Sequence, residues 1–240
     1  MVKIDRELCI GCGSCVPYCP VEAIKLIDKK AEADLSRCVE CGTCVRANPC
    51  PVGALSMPES FDEFREISHF LSDPTTTKKA TGVPGRGTEE VKTNDVTGRI
   101  KRGEVGVCIE MGRPGVSTSF RDVEKVSKAL AKLNVHFEEK NPVTALIDVK
   151  TGKLMKEGLR DMRVLSCIIE VMTGIDRVPE VLKVLRKAEK EIDTVFSLGM
   201  ICRFDEDGTI PVAEMLKAQG VKVRPNAKIN VGIGKPLVEA

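Results

Sequence analysis

The 240-residue chain is poor in aromatic side chains, which make up 3% of it, with one Tyr and no Trp. Its core must therefore rest on Val, Ile, Leu, Met and Ala. No apolar run approaches the roughly 18 residues of a membrane span. The opening "MVKIDRELC" lacks the apolar stretch of a secretory leader. These two absences lead us to expect a cytoplasmic chain with no membrane partner. Charge of one sign is not in excess either: 37 Lys and Arg face 35 Asp and Glu. Nucleic-acid binders carry a strongly basic balance, so no nucleic-acid partner is expected. A P-loop is missing, and no G-x-G-x-x-G follows a strand pattern, which leaves no nucleotide site to argue for. His69 and His136 are the only histidines. With no nucleophile–base pair in evidence, the chain is not expected to be an enzyme on its own.

What is abundant is cysteine, with 11 residues. In a cytoplasmic chain disulfides are disfavoured, because thiols there are kept reduced. The spacing also argues for metal binding. "CIGCGSCVPYCPVEAI" begins at Cys9, and "CVECGTCVRANPCPVGAL" begins at Cys38. The two stretches form an internal repeat. The first follows C-x2-C-x2-C-x3-C-P, the signature of a [4Fe–4S] cube, in which the fourth cysteine serves the other cluster. The second has five residues, not three, before its last cysteine, Cys50. A zinc ribbon needs two C-x-x-C pairs and would leave four cysteines unexplained. A single cube with a degenerate second site, or a [3Fe–4S] form, remains open from the spacing.

Residues 4–57 resemble the bacterial-type two-cluster ferredoxins. The resemblance implies two low-potential [4Fe–4S] clusters and an anaerobic or microaerobic host. Carried over by position, it places Cys9, Cys12, Cys15 and Cys50 on the first cluster. Cys38, Cys41, Cys44 and Cys19 fall on the second. The longer interval before Cys50 then alters a crossing loop, not the number of clusters. Tyr18 is expected to pack on a cluster, with Val21, Ile24, Val52 and Leu55 keeping water out.

The rest of the chain reads as a second unit, giving an α+β protein. Residues 60–71 are expected to form a helix opened by a Ser60–Glu63 capping box. Residues 72–103 carry seven basic and four acidic side chains, net +3. We read them as an arm docked on the cluster domain, with Lys92, Arg99, Lys101 and Arg102 protected. From residue 104 strand and helix patterns alternate: "EVGVCIEM", "VHFEE", "VTALIDV", "RVLSCIIEVM" and "TVFSLGMICRF" as strands, 119–133 and 178–192 as helices. "TIPVAEMLKAQG" reads as a short further helix, "VKVRP" and "KINVGI" as final strands. The plan is β-α-β-β-α-β, a ferredoxin-like or ACT-like sheet backed by helices. The expected divisions are 1–57, 58–103 and 104–240. Cys108, Cys167 and Cys202 are read as core residues, and Glu110 and Glu170 as the solvent side of a half-covered sheet. The turns holding Arg113 with Ser117–Ser119, and Arg177, are read as capped helix starts, with a small anion site as the sharper alternative.

The first functional reading is an electron-transfer protein whose α/β domain docks it to a redox partner protein. A redox- or ligand-sensing regulator with an ACT-like domain is the second. The third is the electron-transfer subunit of a larger oxidoreductase complex. Whether the chain forms a homo-oligomer is left open.

Overall fold

The computed structural model describes residues 2–76, 98–112 and 116–223. The cysteine-rich segment contains β1 (Lys3–Ile4), β2 (Ile24–Ile27), β3 (Lys30–Ala33), α1 (Thr43–Arg46) and β4 (Leu55–Ser56). Its two ends pair: β1 runs antiparallel to β4, with Lys3 opposite Ser56 and Ile4 opposite Leu55. The hairpin β2–β3 turns through Asp28 and Lys29, both left-handed at φ 49° and 60°. That is the two-residue turn whose twist suits a hairpin. Gly11 lies directly beneath it. A Cβ at Gly11 would sit 2.0 Å from the Lys29 carbonyl oxygen, so the turn and the first cysteine loop touch only because residue 11 has no side chain.

Helix α2 spans Glu63–Ser72. Its cap is Asp62, not the expected Ser60. The Asp62 carboxylate accepts from the amides of Phe64 and Arg65 at 3.1 and 3.0 Å. A carboxylate beside two free amides at a helix start outcompetes a serine two residues upstream. Asp62→Ala should therefore cost about 1 kcal/mol, while Ser60→Ala should stay within about 0.5 kcal/mol. Equal costs in thermal denaturation would restore the serine cap.

The sequence grouped α2 with a connecting arm, but its apolar face is spent on the α/β core. Leu71 is 1% exposed within that core. The Ser68 hydroxyl donates to the Arg163 carbonyl, and the Leu165 amide donates to Ser72 Oγ. Residues 77–97, which hold most of the arm and Lys92, lie outside the described residues. Of the described remainder, Ile100 is buried and Arg99 pairs with Glu138 of the α/β part.

The α/β part follows with β5 (Glu104–Met111), β6 (Thr118–Ser119), α3 (Phe120–Ala131), β7 (His136–Phe137), β8 (Ile147–Asp148), β9 (Lys153–Leu154), β10 (Arg163–Val164), β11 (Cys167–Gly174), α4 (Val178–Ala188), β12 (Phe196–Ile201) and α5 (Ala213–Ala218). The main sheet has the order β12-β5-β11-β7, and every neighbouring pair is antiparallel. Alternation along β5 and β11 sends Val105, Val107, Ile109, Met111, Ile169 and Val171 to one face. There they meet Val123, Val126 and Leu130 of α3 and Val181, Leu182 and Leu185 of α4. Gly106, Cys108, Glu110, Glu170 and Met172 point to the other face by the same alternation.

Several expected strands are shorter or broken. "VTALIDV" begins as a helical turn over Thr144–Leu146 and only then enters β8. The cause is Asn141, whose side-chain oxygen accepts from the Val143 amide at 2.8 Å and curls the chain. "RVLSCIIEVM" divides between β10, which pairs with β6, and β11 in the main sheet. "VHFEE" keeps two strand residues. Residues 221–223 are irregular, and "KINVGI" lies outside the described residues.

Of the two turns weighed as anion sites, Ser119 caps α3 by accepting from the Asp122 amide. Ser117 Oγ accepts from Arg163 at 2.8 Å, while Arg113 lies outside the described residues. Arg177 donates to the Leu133 carbonyl at 2.8 Å and pairs with Glu180.

A half-buried ion pair locks α3 to the segment before β10. Arg160 donates to Glu124 at 2.6 Å, and the Leu154 amide donates to its other oxygen at 3.1 Å. Burial opposes the charge on Glu124, yet these two donors hold its carboxyl below the usual 4.5. A depressed carboxylate contributes stability above its unfolded value and loses it as pH falls through the folded value. The stability gap between the wild type and Glu124→Gln should thus be full above about pH 4.5 and narrow in more acid solution. A gap that widened on acidification would refute the assignment.

Candidate iron–sulfur site

Two small cavities occupy the cysteine-rich segment, and each is lined by four thiols. The first carries Cys9, Cys12, Cys15 and Cys50, with Ile4, Ala31 and Ala54 around them. The second carries Cys19, Cys38, Cys41 and Cys44, with Val21, Ala23 and Val39. Each set takes three cysteines from one run of the repeat and one from the other. Cys108, Cys167 and Cys202 lie elsewhere, in and beside the α/β sheet.

The repeat is visible in the backbone as well. Gly11 and Glu40 occupy the same place in the two C-x-x-C loops and are both left-handed, at φ 72° and 55°. Gly13 matches Gly42, and Glu22 matches Gly53, all with positive φ. These turns aim amides inward. The Ala23 amide donates to Cys19 Sγ at 3.1 Å, and its counterpart Ala54 donates to Cys50 Sγ at 3.2 Å. The Ala31 amide donates to Cys9 Sγ at 3.4 Å.

The two cavities differ electrostatically. The Ala31 and Gly11 amides pull the Cys9 thiol below its ordinary value, and Ser14 does the same for Cys12. In the second set burial dominates. It raises Cys38, and with the neighbouring thiols it pushes Cys44 up to about 12. Burial likewise raises Cys15. A metal must displace these protons on binding.

Their surroundings differ too. The first cavity opens at a collar of exposed apolar residues: Ile10, at 63%, and Val52 line it, and Leu26 lies against Gly13 of its wall. The sequence makes Val52 a shield against water and packs Tyr18 on a cluster. Val52 lines the cavity but stays on the rim, and Tyr18 is 45% exposed. The second cavity is covered by α2 and the segment after β10. Leu165 packs on Val21, Ala23, Val39 and Cys41. Glu40, 1% exposed, pairs with Arg65 of α2, and His69 Nδ1 lies 2.7 Å from the Glu40 carbonyl oxygen. Arg46 pairs with Asp73 and donates to the Cys41 carbonyl at 2.7 Å. Sequence reasoning gave Glu40 and Arg65 no role. The one available signal was a glutamate standing where the other copy has glycine.

The donor set suits an iron–sulfur cube: four soft thiols, with backbone amides directed at sulfur. Among the described residues no group of three or more His, Cys, Asp or Glu is close-set enough for a single metal ion. Thiols arranged around a volume, with amides donating to them, define an electron-transfer iron–sulfur protein.

Comparison with known proteins agrees. Residues 2–25 match a family described as a 4Fe-4S binding domain, and residues 35–53 match a second family so described. Over 56 residues the chain is 34% identical to a ferredoxin of Thermococcus litoralis, covering 23% of this chain and 95% of that protein. The chain belongs to the ferredoxin family through this N-terminal segment, and it carries two [4Fe–4S] clusters. Among the described residues no helix is long and apolar enough to cross a membrane.

Proposed function

We propose that Cys9, Cys12, Cys15 and Cys50 hold one cluster and that Cys19, Cys38, Cys41 and Cys44 hold the other. The observation that carries this is the crossed lining of the two cavities. When bound, each cluster supplies a one-electron couple at the low-potential end of the range open to such centres. The chain's own residues do the rest. The Ala23, Ala31 and Ala54 amides stabilise negative sulfur. Ile24, Val39 and Ala54 exclude water. The exposed collar at Ile10 and Val52 gives a redox partner protein an apolar surface close to Cys12, which is itself exposed. Apolar contact with a short path to the metal is what a transient electron-transfer encounter requires.

The division of labour follows the packing. Residues 1–57 form the dicluster unit, and 104–240 form a ferredoxin-like or ACT-like β-α-β-β-α-β unit. The strand order and the helices after β5 and β11 support this. The α/β unit covers the second cluster and leaves the first for exchange, either as a free cytoplasmic carrier or within an oxidoreductase complex. The test is anaerobic reconstitution with iron and sulfide, followed by electron exchange with an oxidoreductase co-purified from the native host. About eight irons per chain and reduction by that enzyme are expected. About four irons, or no exchange by a fully loaded chain, would overturn the reading.

A further inference from the structure

The face of the main sheet turned away from α3 and α4 is not the solvent side expected of Glu170. Glu170 is 5% exposed and accepts from Asn141 Nδ2 at 3.1 Å. Cys108 beside it is buried, as expected. The open surface of this sheet lies at its edge instead. In the order β12-β5-β11-β7, the edge strand β7 has two residues, while β12 has six, Phe196–Ile201. Among the described residues no strand pairs with the outer side of β12.

The register with β5 fixes which backbone groups of β12 face outward. The Gly112 amide donates to the Val195 carbonyl at 2.8 Å, so Val195 turns its backbone groups inward. Pairing continues without a bulge from Phe196 opposite Met111 to Ile201 opposite Gly106. Along an antiparallel ladder these groups alternate. Ser197, Gly199 and Ile201 are therefore bonded to β5, while Phe196, Leu198 and Met200 hold their N–H and C=O to the outside. Natural sheets blunt such an edge with charge, proline or a bulge. "TVFSLGMIC", residues 194–202, has none of these. Phe196 and Met200 pack on the core, but Leu198 between them is 40% exposed, and Val195 is 49% exposed. Gly199 has no reason within the chain to be glycine. Among the described residues a Cβ there would meet Cys108 Cβ alone, at an ordinary 3.8 Å. Glycine inside a strand suits a place where another backbone comes close.

The charges at the two ends of this stretch choose the occupant. Asp193 precedes it and is exposed, and Arg203 follows it and is half-buried. Among the described residues neither is in an ion pair. Two copies related by a two-fold axis run antiparallel along such an edge, and outward residues must face outward residues. With the axis at Leu198, residues 196–200 of each copy pair, and Asp193 of one lies opposite Arg203 of the other. With the axis at Gly199, residues 197–201 pair, and Asp193 would oppose Asp205. The charges select the first. Gly199 then faces Ser197 of the other copy in a close, non-hydrogen-bonded pair. We propose that the open edge of β12 pairs with the same edge of a second copy of this chain, about a two-fold axis at Leu198, with an Asp193–Arg203 ion pair at each end. An edge contact this narrow makes a weak, reversible dimer. The inference goes beyond the electron-transfer reading and does not rest on it, because β12 contributes no residue to either cysteine cavity.

The test is anaerobic analytical ultracentrifugation of the full, cluster-loaded chain. The wild type is expected to pass reversibly from monomer to dimer below roughly 100 μM. Leu198→Lys sets two ammonium groups against each other on the axis and should leave only monomer. Its own sheet should survive, because residue 198 directs its backbone groups away from β5, and lysine is a natural edge residue. Asp193→Arg and Arg203→Asp should each weaken the dimer by about tenfold, since like charges then meet at both ends. Mixing these two variants restores opposite charges at both ends, so the mixture should associate as tightly as the wild type. A wild type that stays monomeric, a dimer untouched by Leu198→Lys, or a mixture no tighter than its components would each overturn the proposal. Should Leu198→Lys fail to fold, the two charge variants and their mixture decide. Iron content is read on the same samples, so failure of the dimer and failure of the cluster assignment are separate results.

Discussion

Cys50→Ser is expected to leave a chain with about four irons, bound at Cys19, Cys38, Cys41 and Cys44. Cys19→Ser is expected to leave the same count with the other cluster surviving. The reason is the crossed lining: Cys50 sits with Cys9, Cys12 and Cys15, though it follows Cys44 in sequence. The two survivors should differ. The cluster left in Cys19→Ser faces the open collar and should be bleached quickly by air. The cluster left in Cys50→Ser is roofed by α2 and Leu165 and should persist longer. Iron analysis with EPR of the reduced variants reads both outcomes. If Cys50→Ser lost the air-resistant cluster instead, the ligand sets would be uncrossed and the assignment wrong.

Arg65→Ala should cost about 2 kcal/mol, the scale of a hydrogen bond to a charged group. Glu40 is held in a left-handed backbone, fully covered, between Cys38 and Cys41. Arg65 supplies a guanidinium to that carboxylate from a helix anchored in the α/β core. Removing it should loosen α2 from the second cysteine loop. Chelator-driven iron loss should then accelerate for the second cluster and stay unchanged for the first. Arg65→Lys, which keeps the charge, should recover part of the difference. Equal acceleration at both clusters would show a general loss of stability rather than a local contact.

The cysteine pattern was readable because thiol spacing is a local property: a C-x2-C-x2-C loop closes on one metal group whatever surrounds it. The helices α3 and α4 were readable for a similar reason. Val123, Val126 and Leu130, like Val181, Leu185 and Ala188, recur at the helical period and are buried as that period requires. What could not be read was set by contacts between distant residues. Glu170 breaks an apolar strand, and in sequence that looks like a solvent-facing position. Asn141, folded back from another loop, donates to it and holds it as a buried carboxylate. Tyr18 precedes a ligand-spaced cysteine, yet its ring turns outward. Helix α2 shows an apolar stripe in sequence, but not which of two neighbours the stripe will cover. It covers the α/β core with that stripe and reaches the cysteine loop with its charges.

The pairing of β1 with β4 has a practical consequence. Lys3 and Ser56 are strand neighbours, so the points where the chain enters and leaves this segment lie about 5 Å apart. A segment whose two ends meet can be spliced into a surface loop of an unrelated host without stretching either chain. Its closing hydrogen bond, from the Asp5 amide to the Ala54 carbonyl at 2.9 Å, travels with it. For the second cysteine loop to stay covered in such a host, α2 has to travel with it, because Arg65 of α2 pairs with Glu40.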